Sequence, residues 1–371
     1  MKRISVFWLA CLLMVSLPAC GRDHPSADLT QIPKPDLPAA ADYLSGDYPV
    51  LPKDGPVIEL SLGHAMQETA LRHQTMLALK EALEVYSDGK MTLTIYPNGQ
   101  LGSDGEMIVA CILGDVDLVF QSGSVHSDFV PEAALFDIPF LFTDADPKQV
   151  QAILTESPFR EGYDQACEAG GLVCLMLQTD IQGMYLTANR PITDLEDLKG
   201  LKIRVAPSPS RAAAWKALDA SPTPLAYNEL YLALQNGTVD AQENNLSNIL
   251  NSGLYEVQTH LCPSWHLSPS SELTMNRDAF YAMPPDYQEL LRTLCRELTA
   301  YDAALQEAME QYYFDCLTQG CGLEVCAPSD DLREQWRERT RAAAEQTVAA
   351  TENRALYETL LSLLEKESGH H

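Results

Sequence analysis

The spacing of apolar residues switches repeatedly along the chain between the two-residue alternation of strands and the three-to-four-residue spacing of helices. Residues 91–96 read Met-Thr-Leu-Thr-Ile-Tyr, an alternation that predicts a half-buried strand. Residues 68–86 place apolar side chains three or four apart, which predicts an amphipathic helix. Strand-like and helix-like segments alternate in this way until about Met283. After it the pattern is mostly helical and includes a long stretch toward Gln319. The alternation predicts an α/β fold with largely parallel sheets and ligand sites at the carboxyl ends of strands.

Helix starts are marked by capping residues at several places. Ser103 with Glu106 three residues later predicts a capping box, and Thr193 with Glu196 predicts a second one for a helix that ends at Gly200. Asp146-Pro147 and Ser157-Pro158 each place a capping side chain before a proline, which predicts two further helices.

Polar residues follow two of the predicted strands. His64 and Gln67 come after the first strand, and Gln121 and Ser122 come after residues 116–120. Each is a candidate ligand contact, although turn and capping roles are the more common use of such residues.

The N-terminal segment predicts an exported protein. Two basic residues precede an apolar stretch over residues 4–17, which is short for a membrane span and typical of a secretory signal peptide. The sequence Leu-Pro-Ala-Cys over residues 17–20 resembles a bacterial lipobox, so Cys20 is expected to be lipidated. Residues 21–56 are rich in proline and predict a semi-extended tether. We therefore expect residues 1–20 to be a signal peptide and the folded part to be extracytoplasmic, anchored by lipid alone.

Composition supports a folded, acidic protein. The 371 residues suit about two domains, 46% of them are apolar and 21% are charged. The formal net charge is −27, or −29 once Lys2 and Arg3 leave with the signal peptide. A surface this acidic repels phosphate backbones and anionic lipids, which argues against nucleic acid as a partner and against charge-driven membrane adhesion.

Ten cysteines are present, of which one falls in the signal peptide and Cys20 is the lipid site. None of the others forms a Cys-x-x-Cys motif, so no structural zinc site is predicted. One or two disulfides are expected among the remaining eight, with the rest as small buried side chains. His260, Cys262 and His266 lack a fourth ligand nearby and are interpreted as a loop. The sequence therefore predicts neither a metal nor a cofactor.

Four segments carry a family resemblance. Residues 96–102 read Tyr-Pro-Asn-Gly-Gln-Leu-Gly, and residues 193–205 read Thr-Asp-Leu-Glu-Asp-Leu-Lys-Gly-Leu-Lys-Ile-Arg-Val. Residues 221–235 read Ser-Pro-Thr-Pro-Leu-Ala-Tyr-Asn-Glu-Leu-Tyr-Leu-Ala-Leu-Gln, and residues 237–244 read Gly-Thr-Val-Asp-Ala-Gln-Glu-Asn. Together they resemble the substrate-binding proteins of tripartite ATP-independent periplasmic (TRAP) transporters, in the branch of four-carbon dicarboxylate and sialic acid binders.

The resemblance implies a two-lobed periplasmic-binding-protein-like fold with a hinge and a long connecting helix. Lobe I is expected over residues 57–181 and about 270–309, and lobe II over residues 182–269 and about 310–365. It also implies a small organic acid as ligand, and small and large TRAP permease subunits as membrane partners.

Arg204 is the central site prediction. It ends the predicted strand over residues 202–205, where a guanidinium can hold a carboxylate through two parallel hydrogen bonds. The resemblance implies this role for Arg204. An exposed arginine paired with Glu196 or Asp197 is the alternative.

Three further ligand contacts are implied by the resemblance. Asn244 and Gln242 follow a short strand, and amides there can bind carboxylate or hydroxyl groups, although a helix cap suits the same position. Tyr227 stands where relatives pack an aromatic ring on the ligand, and the alternative is a core tyrosine.

Met184 marks a departure from the family pattern. Many relatives carry a second basic residue at its position, so a second ligand carboxylate would lack a partner here. We therefore expect a monocarboxylate, hydroxylated or with an apolar body. Arg211 could replace the missing charge, but it equally reads as a solvated side chain.

Enzyme motifs are absent from the sequence. It contains no Gly-x-Ser-x-Gly elbow, no Walker loop and no dinucleotide fingerprint, so catalysis is not predicted. An extracytoplasmic hydrolase of small organic acids and a ligand sensor remain the alternatives to a transport protein.

Overall fold

The computed structural model describes residues 29–180, 183–326 and 328–368. The predicted signal peptide and Cys20 lie outside this part of the chain. Within it, no helix combines the length and the apolar character needed to cross a membrane.

Strands and helices alternate as the sequence predicts. The strands are β1 (Ile58–Gly63), β2 (Met91–Tyr96), β3 (Leu118–Ser122), β4 (Leu172–Thr179), β5 (Tyr185–Ala188), β6 (Lys202–Val205), β7 (Ser221–Pro224), β8 (Ala241–Asn244), β9 (His260–Cys262), β10 (Ser270–Asn276) and β11 (Glu324–Val325). The helices are α1 (Leu71–Tyr86), α2 (Asp104–Leu113), α3 (Gly123–His126), α4 (Pro147–Thr155), α5 (Pro158–Ala169), α6 (Pro209–Ala217), α7 (Leu230–Gln235), α8 (Leu246–Asn251), α9 (Arg277–Ala282), α10 (Pro285–Asp315), α11 (Asp330–Ala350) and α12 (Arg354–Ser368).

The strands form two sheets. The first has the order β2-β1-β3-β10-β4, and the second has the order β11-β9-β5-β8-β6-β7. β10 runs antiparallel to β3 and β4, and β5 runs antiparallel to β8 and β9. Both sheets are therefore mixed, each with a parallel part that the sequence predicts and antiparallel strands that it does not.

The chain moves between the sheets through different kinds of connection. Residues 180–184 lead from β4 to β5, and residues 263–269 lead back from β9 to β10. The 31-residue helix α10 then packs against α1 and β4 of the first half and against α8, which follows β8 of the second sheet, so it contacts both halves. This two-sheet α/β architecture with a long helix confirms the predicted fold class.

The two C-terminal helices pack mainly against different halves of the molecule. α11 contacts α6 of the second half, whereas α12 contacts α4 and α5, which flank the first sheet. The apolar side chains of Leu356 and Leu360 join the core around Phe159 and Tyr163. The expected lobe II included residues up to about 365, so the packing of α12 differs from that assignment. The division into lobes otherwise stays a prediction.

Helix starts follow the capping signals in most cases. Ser103 and Glu106 form the predicted capping box of α2, and Asp146 and Ser157 cap α4 and α5. The helix predicted after Thr193 is wrong: only a short 3-10 turn, Glu196–Leu198, is present.

Candidate functional site

A cleft lies where the carboxyl ends of strands from both sheets meet. Its empty volume is about 720 Å³, open mouth included. Residues after β1 and at the end of β3 line one wall, and residues at the ends of β6 and β8 line the other. Of the predicted contacts, the lining includes Arg204, Asn244, Tyr227, Met184 and Gln121. Ligand sites of open α/β sheets occur at this kind of edge.

Arg204 is a buried cation without an acidic partner. Ile203 and Val205 point into an apolar core, so strand alternation turns Arg204 to the opposite face. Its side chain is 3% exposed, and its Nε and Nη2 donate to the carbonyl oxygen of Leu225 at 3.0 and 2.8 Å. In the part of the chain that the structure describes, it forms no ion pair. Burial and then the nearby charge of Arg211 lower the pKa of Arg204 to about 10.

The structure thus disagrees with the exposed alternative for Arg204. A buried guanidinium whose charge is not balanced is costly unless something neutralises it. A ligand carboxylate in the cleft can do so.

Arg211 also lines the cleft, but its charge is balanced. Its Nε lies 2.8 Å from Asp137 and its Nη1 3.3 Å from Glu243. Glu243 in turn accepts hydrogen bonds from His266 at 2.7 Å and Trp215 at 2.9 Å. Burial alone raises the pKa of Glu243, but the His266 hydrogen bond and the Arg211 charge outweigh it and lower the pKa to about 2. Arg211 is therefore not the solvated side chain that one interpretation of the sequence gave.

A second buried ion pair lies at the cleft, and a hydrogen bond to its acidic member links the two walls. Arg72 of α1 pairs with Asp180, which follows β4. Asp180 also accepts a hydrogen bond from Asn245, 3.1 Å away at the end of β8. The sequence analysis did not identify this group, because an arginine within an amphipathic helix gives no signal of burial.

Asp104 is an acid within the cleft that sequence analysis also missed. It is the first residue of α2, half-buried, and its backbone oxygen accepts from the Gln121 amide at 2.8 Å. Burial raises the pKa of Asp104 to about 6, partly opposed by the positive charge of Arg204. The Asp104 carboxyl group therefore faces the Arg204 guanidinium as a hydrogen-bond acceptor when ionised and as a hydrogen-bond donor when protonated below about pH 6.

The remaining predicted contacts separate into two groups. Asn244 lines the cleft, where its Oδ1 accepts from Asn248 at 2.8 Å and its Nδ2 donates to Gln242 at 3.2 Å. Gln242 is not part of the cleft lining. It lies on the same face of β8 as Asn244 but two residues further from the end of the strand, where its Nε2 donates to Thr187 at 2.8 Å. Tyr227 lines the cleft, and its hydroxyl contacts Ser252 at 2.5 Å.

His64 also lies behind the cleft wall, not in its lining. It is fully buried, and its Nε2 is 3.0 Å from Nδ1 of His73. Burial first, and then the charge of His73, lower the pKa of His64 to about 4. The lining after β1 is instead formed by Ala65 and Met66.

Metal-binding groups do not gather in the cleft. Among the described residues, three ligand atoms come together only away from it, at Cys167, Cys174 and Glu272.

Two sheets that face a polar cleft with an unbalanced arginine define a solute-binding protein of the two-lobed type. The sequence matches the family described as bacterial extracellular solute-binding protein, family 7 (DctP), over residues 62–351, and the chain belongs to this family.

Individual relatives agree with this membership. The chain is 33% identical to the sialic acid-binding periplasmic protein SiaP of Vibrio cholerae over 210 residues, 56% of this chain and 64% of that protein. It is 28% identical to the C4-dicarboxylate-binding periplasmic protein DctP of Shewanella loihica over 286 residues, 75% and 82% of the two chains.

A solved structure gives the same picture. A TRAP periplasmic solute-binding protein of Roseobacter denitrificans with bound L-galactonate superposes with a TM-score of 0.73 at 26% identity. The match covers 83% of this chain and all of that chain, 100%. By their names, these relatives bind organic acids, and one of them belongs to a TRAP transporter.

Proposed function

We propose that this protein captures a hydroxylated monocarboxylate through Arg204 and delivers it to the small and large permease subunits of a TRAP transporter. The observation that carries the proposal is the buried Arg204 guanidinium, which forms no ion pair with an acidic side chain of the described residues and feels the charges of Glu243 and Asp104 only at longer range. A carboxylate there gains charge-assisted hydrogen bonds in a desolvated setting.

The charges around the cleft favour a ligand with one carboxylate. Arg72 is paired with Asp180, and Arg211 with Asp137 and Glu243, so the charge of each is already balanced. Arg72 Nε and Arg211 Nη2 have no hydrogen-bond partner among the described residues, so they can donate to a neutral group of the ligand such as a hydroxyl. Asp104 adds a negative group to the cleft and repels a second carboxylate at that end.

The polar lining favours hydroxyl groups on the rest of the ligand. Asn244, Asn248 and Ser122 offer donors and acceptors without net charge, while Met184 offers an apolar surface. The L-galactonate in the Roseobacter relative is a polyhydroxylated monocarboxylate, which supports this class. The Shewanella relative, by its name, binds C4-dicarboxylates, so the family contains both classes.

Capture would proceed by closure of the two walls around the ligand. The lining residues come from both sheets, so a bound ligand contacts both and stabilises the closed arrangement. Lipidation at Cys20 would keep the protein at the outer face of the membrane, where the permease lies. The expected tether over residues 21–56 would act as a spacer only in its first part, because Tyr43, Tyr48 and Leu51 pack against the folded core.

Isothermal titration calorimetry with a panel of acids tests the ligand class. We expect galactonate or a related hydroxylated monocarboxylate to bind, and succinate and malate to bind at least about tenfold more weakly, a difference of about 1.4 kcal/mol. Glycerol and the neutral methyl ester of galactonate serve as controls that lack the carboxylate. Tighter binding of succinate or malate would contradict the monocarboxylate proposal.

A further inference from the structure

A buried cluster of metal-ligating side chains lies within the first half of the molecule. Cys167 is in α5, Cys174 is in β4 and Glu272 is in the neighbouring strand β10. One ligand atom from each lies within 4.8 Å of the others. All three residues are at most 1% exposed.

Glu272 carries an oxygen that nothing in the described chain satisfies. Its Oε1 accepts hydrogen bonds from the Tyr163 hydroxyl at 2.8 Å and from the Ser270 hydroxyl at 3.0 Å. Its Oε2 is buried and has no hydrogen-bond partner. Buried polar atoms are nearly always partnered, so an orphaned oxygen on a carboxylate that lies close to two thiols calls for a positive group.

The surrounding structure keeps this carboxylate in place. A Cβ at Gly123 would come within 2.3 Å of Glu272 Oε1 and 1.9 Å of Ser270 Oγ, so only glycine fits there. Two hydroxyl donors on one oxygen leave the other oxygen oriented for a ligand, as second-shell hydrogen bonds do at metal sites.

We propose that Cys167 Sγ, Cys174 Sγ and Glu272 Oε2 bind a structural zinc ion. Zinc takes thiolate and carboxylate ligands in tetrahedral geometry, in which neighbouring ligand atoms lie roughly 3.4 to 3.8 Å apart, within the spread of this cluster. Water or the Tyr163 hydroxyl supplies the fourth ligand. Binding releases the two thiol protons to solvent, so two thiolates and one carboxylate surround the divalent ion with no change of oxidation state.

The site would join α5 to β4 and β10 inside the core, and it is independent of ligand capture in the cleft. The sequence does not reveal it because Glu272 is distant in the chain and enters the cluster only through the pairing of β10 with β4. The competing use of the two thiols is a disulfide. Its formation would transfer two electrons and two protons to an oxidised dithiol protein or small disulfide, and it would remove both zinc ligands.

Metal analysis of the purified protein tests the proposal. The full chain, prepared without chelator or added thiol, should contain about one zinc per molecule by atomic emission spectrometry. The variant Cys167→Ala/Cys174→Ala should contain none, and Glu272→Gln, which keeps the shape but weakens the ligand, should lose at least about tenfold in zinc affinity. Cys262→Ala/Cys326→Ala is the matched control, since this second contacting thiol pair belongs to no three-ligand group within the described residues. It should retain the zinc.

A measurement on the original protein tests the proposal even if the cysteine variants do not fold. Removing zinc with a chelator should lower the thermal unfolding midpoint, and added zinc should restore it, while cobalt in its place should give thiolate-to-metal absorption. Reduced, metal-free protein that takes up no zinc would overturn the proposal. A peptide map that shows Cys167 and Cys174 linked in the isolated protein would overturn it too.

Discussion

Arg204 shows what a single residue position can and cannot reveal. The sequence places a guanidinium at the end of a strand, and the structure adds its burial and the lack of an acidic partner. The same reasoning failed for Gln242 and His64, because a strand end does not tell which side chains reach the cleft and which do not. Arg72 and Asp180 were missed since only folding brings α1 beside the end of β4.

Replacing Arg204 gives the most direct test at this scale. Arg204→Ala should lower affinity for the carboxylate ligand by at least about 100-fold, because charge-assisted hydrogen bonds of roughly 1.5–3 kcal/mol each are lost. Arg204→Lys should recover part of it, since lysine keeps the charge without the bidentate geometry.

The control for Arg204 is Arg341→Ala. Arg341 lies on α11 with 67% of its side chain exposed and pairs with Glu338, so its removal should leave affinity unchanged. Calorimetry with the best ligand of the panel measures all three variants. Unaltered binding by Arg204→Ala would remove Arg204 from the site.

Helices are predicted correctly where a capping residue in the sequence precedes a segment that also packs against a sheet. The capping signals at Ser103, Asp146 and Ser157 precede helices that pack against the first sheet, and those helices form. At Thr193 the predicted helix does not form. The Thr193 backbone N–H instead donates to the Asp197 carboxylate at 2.8 Å, and this hydrogen bond closes the segment into a turn. Antiparallel strands such as β10 could not be foreseen, because their neighbours are distant in sequence.

The cap of α2 can be tested by itself. Ser103→Ala removes the acceptor for the Glu106 amide and should lower the free energy of unfolding by about 1 kcal/mol. Ser362→Ala, at an exposed position within α12, is the control and should change it by less than about 0.5 kcal/mol. Urea denaturation of both variants measures the difference. Equal stability of the two would mean that the capping box is not stabilising.

The whole molecule combines a strong net negative charge with the positively charged Arg204 side chain in its cleft. A net charge of −27 opposes the approach of an anion, but the field is screened over about 8 Å at physiological salt. The short-range donors of the cleft therefore decide binding once the ligand has entered.

Global stability should depend on His64. Its folded pKa of about 4 lies below the value near 6.5 of an exposed histidine, so the unfolded chain binds the proton first as pH falls. The free energy of unfolding should therefore decrease between about pH 6.5 and pH 4, by on the order of 3 kcal/mol from this group.

The variant His64→Gln should flatten this part of the pH dependence. His260→Gln is the control, because His260 in β9 is only half-buried, whereas His64 is fully buried. Urea titrations across the pH range measure both. Identical slopes for the original protein and His64→Gln would contradict the assignment to His64.

The return of α12 to the first sheet has a mechanical consequence. After α11 has run along the second half, the chain turns at residues 351–353, where Asn353 bonds to Glu132 at 3.0 Å, and α12 fastens onto α4 and α5. Within the described residues, the chain thus passes between the two halves after β9, after α10 and after α11. A movement of one half against the other would have to be accommodated at each of these connections, and α12 would have to stay on the first half while α11 moves with the second.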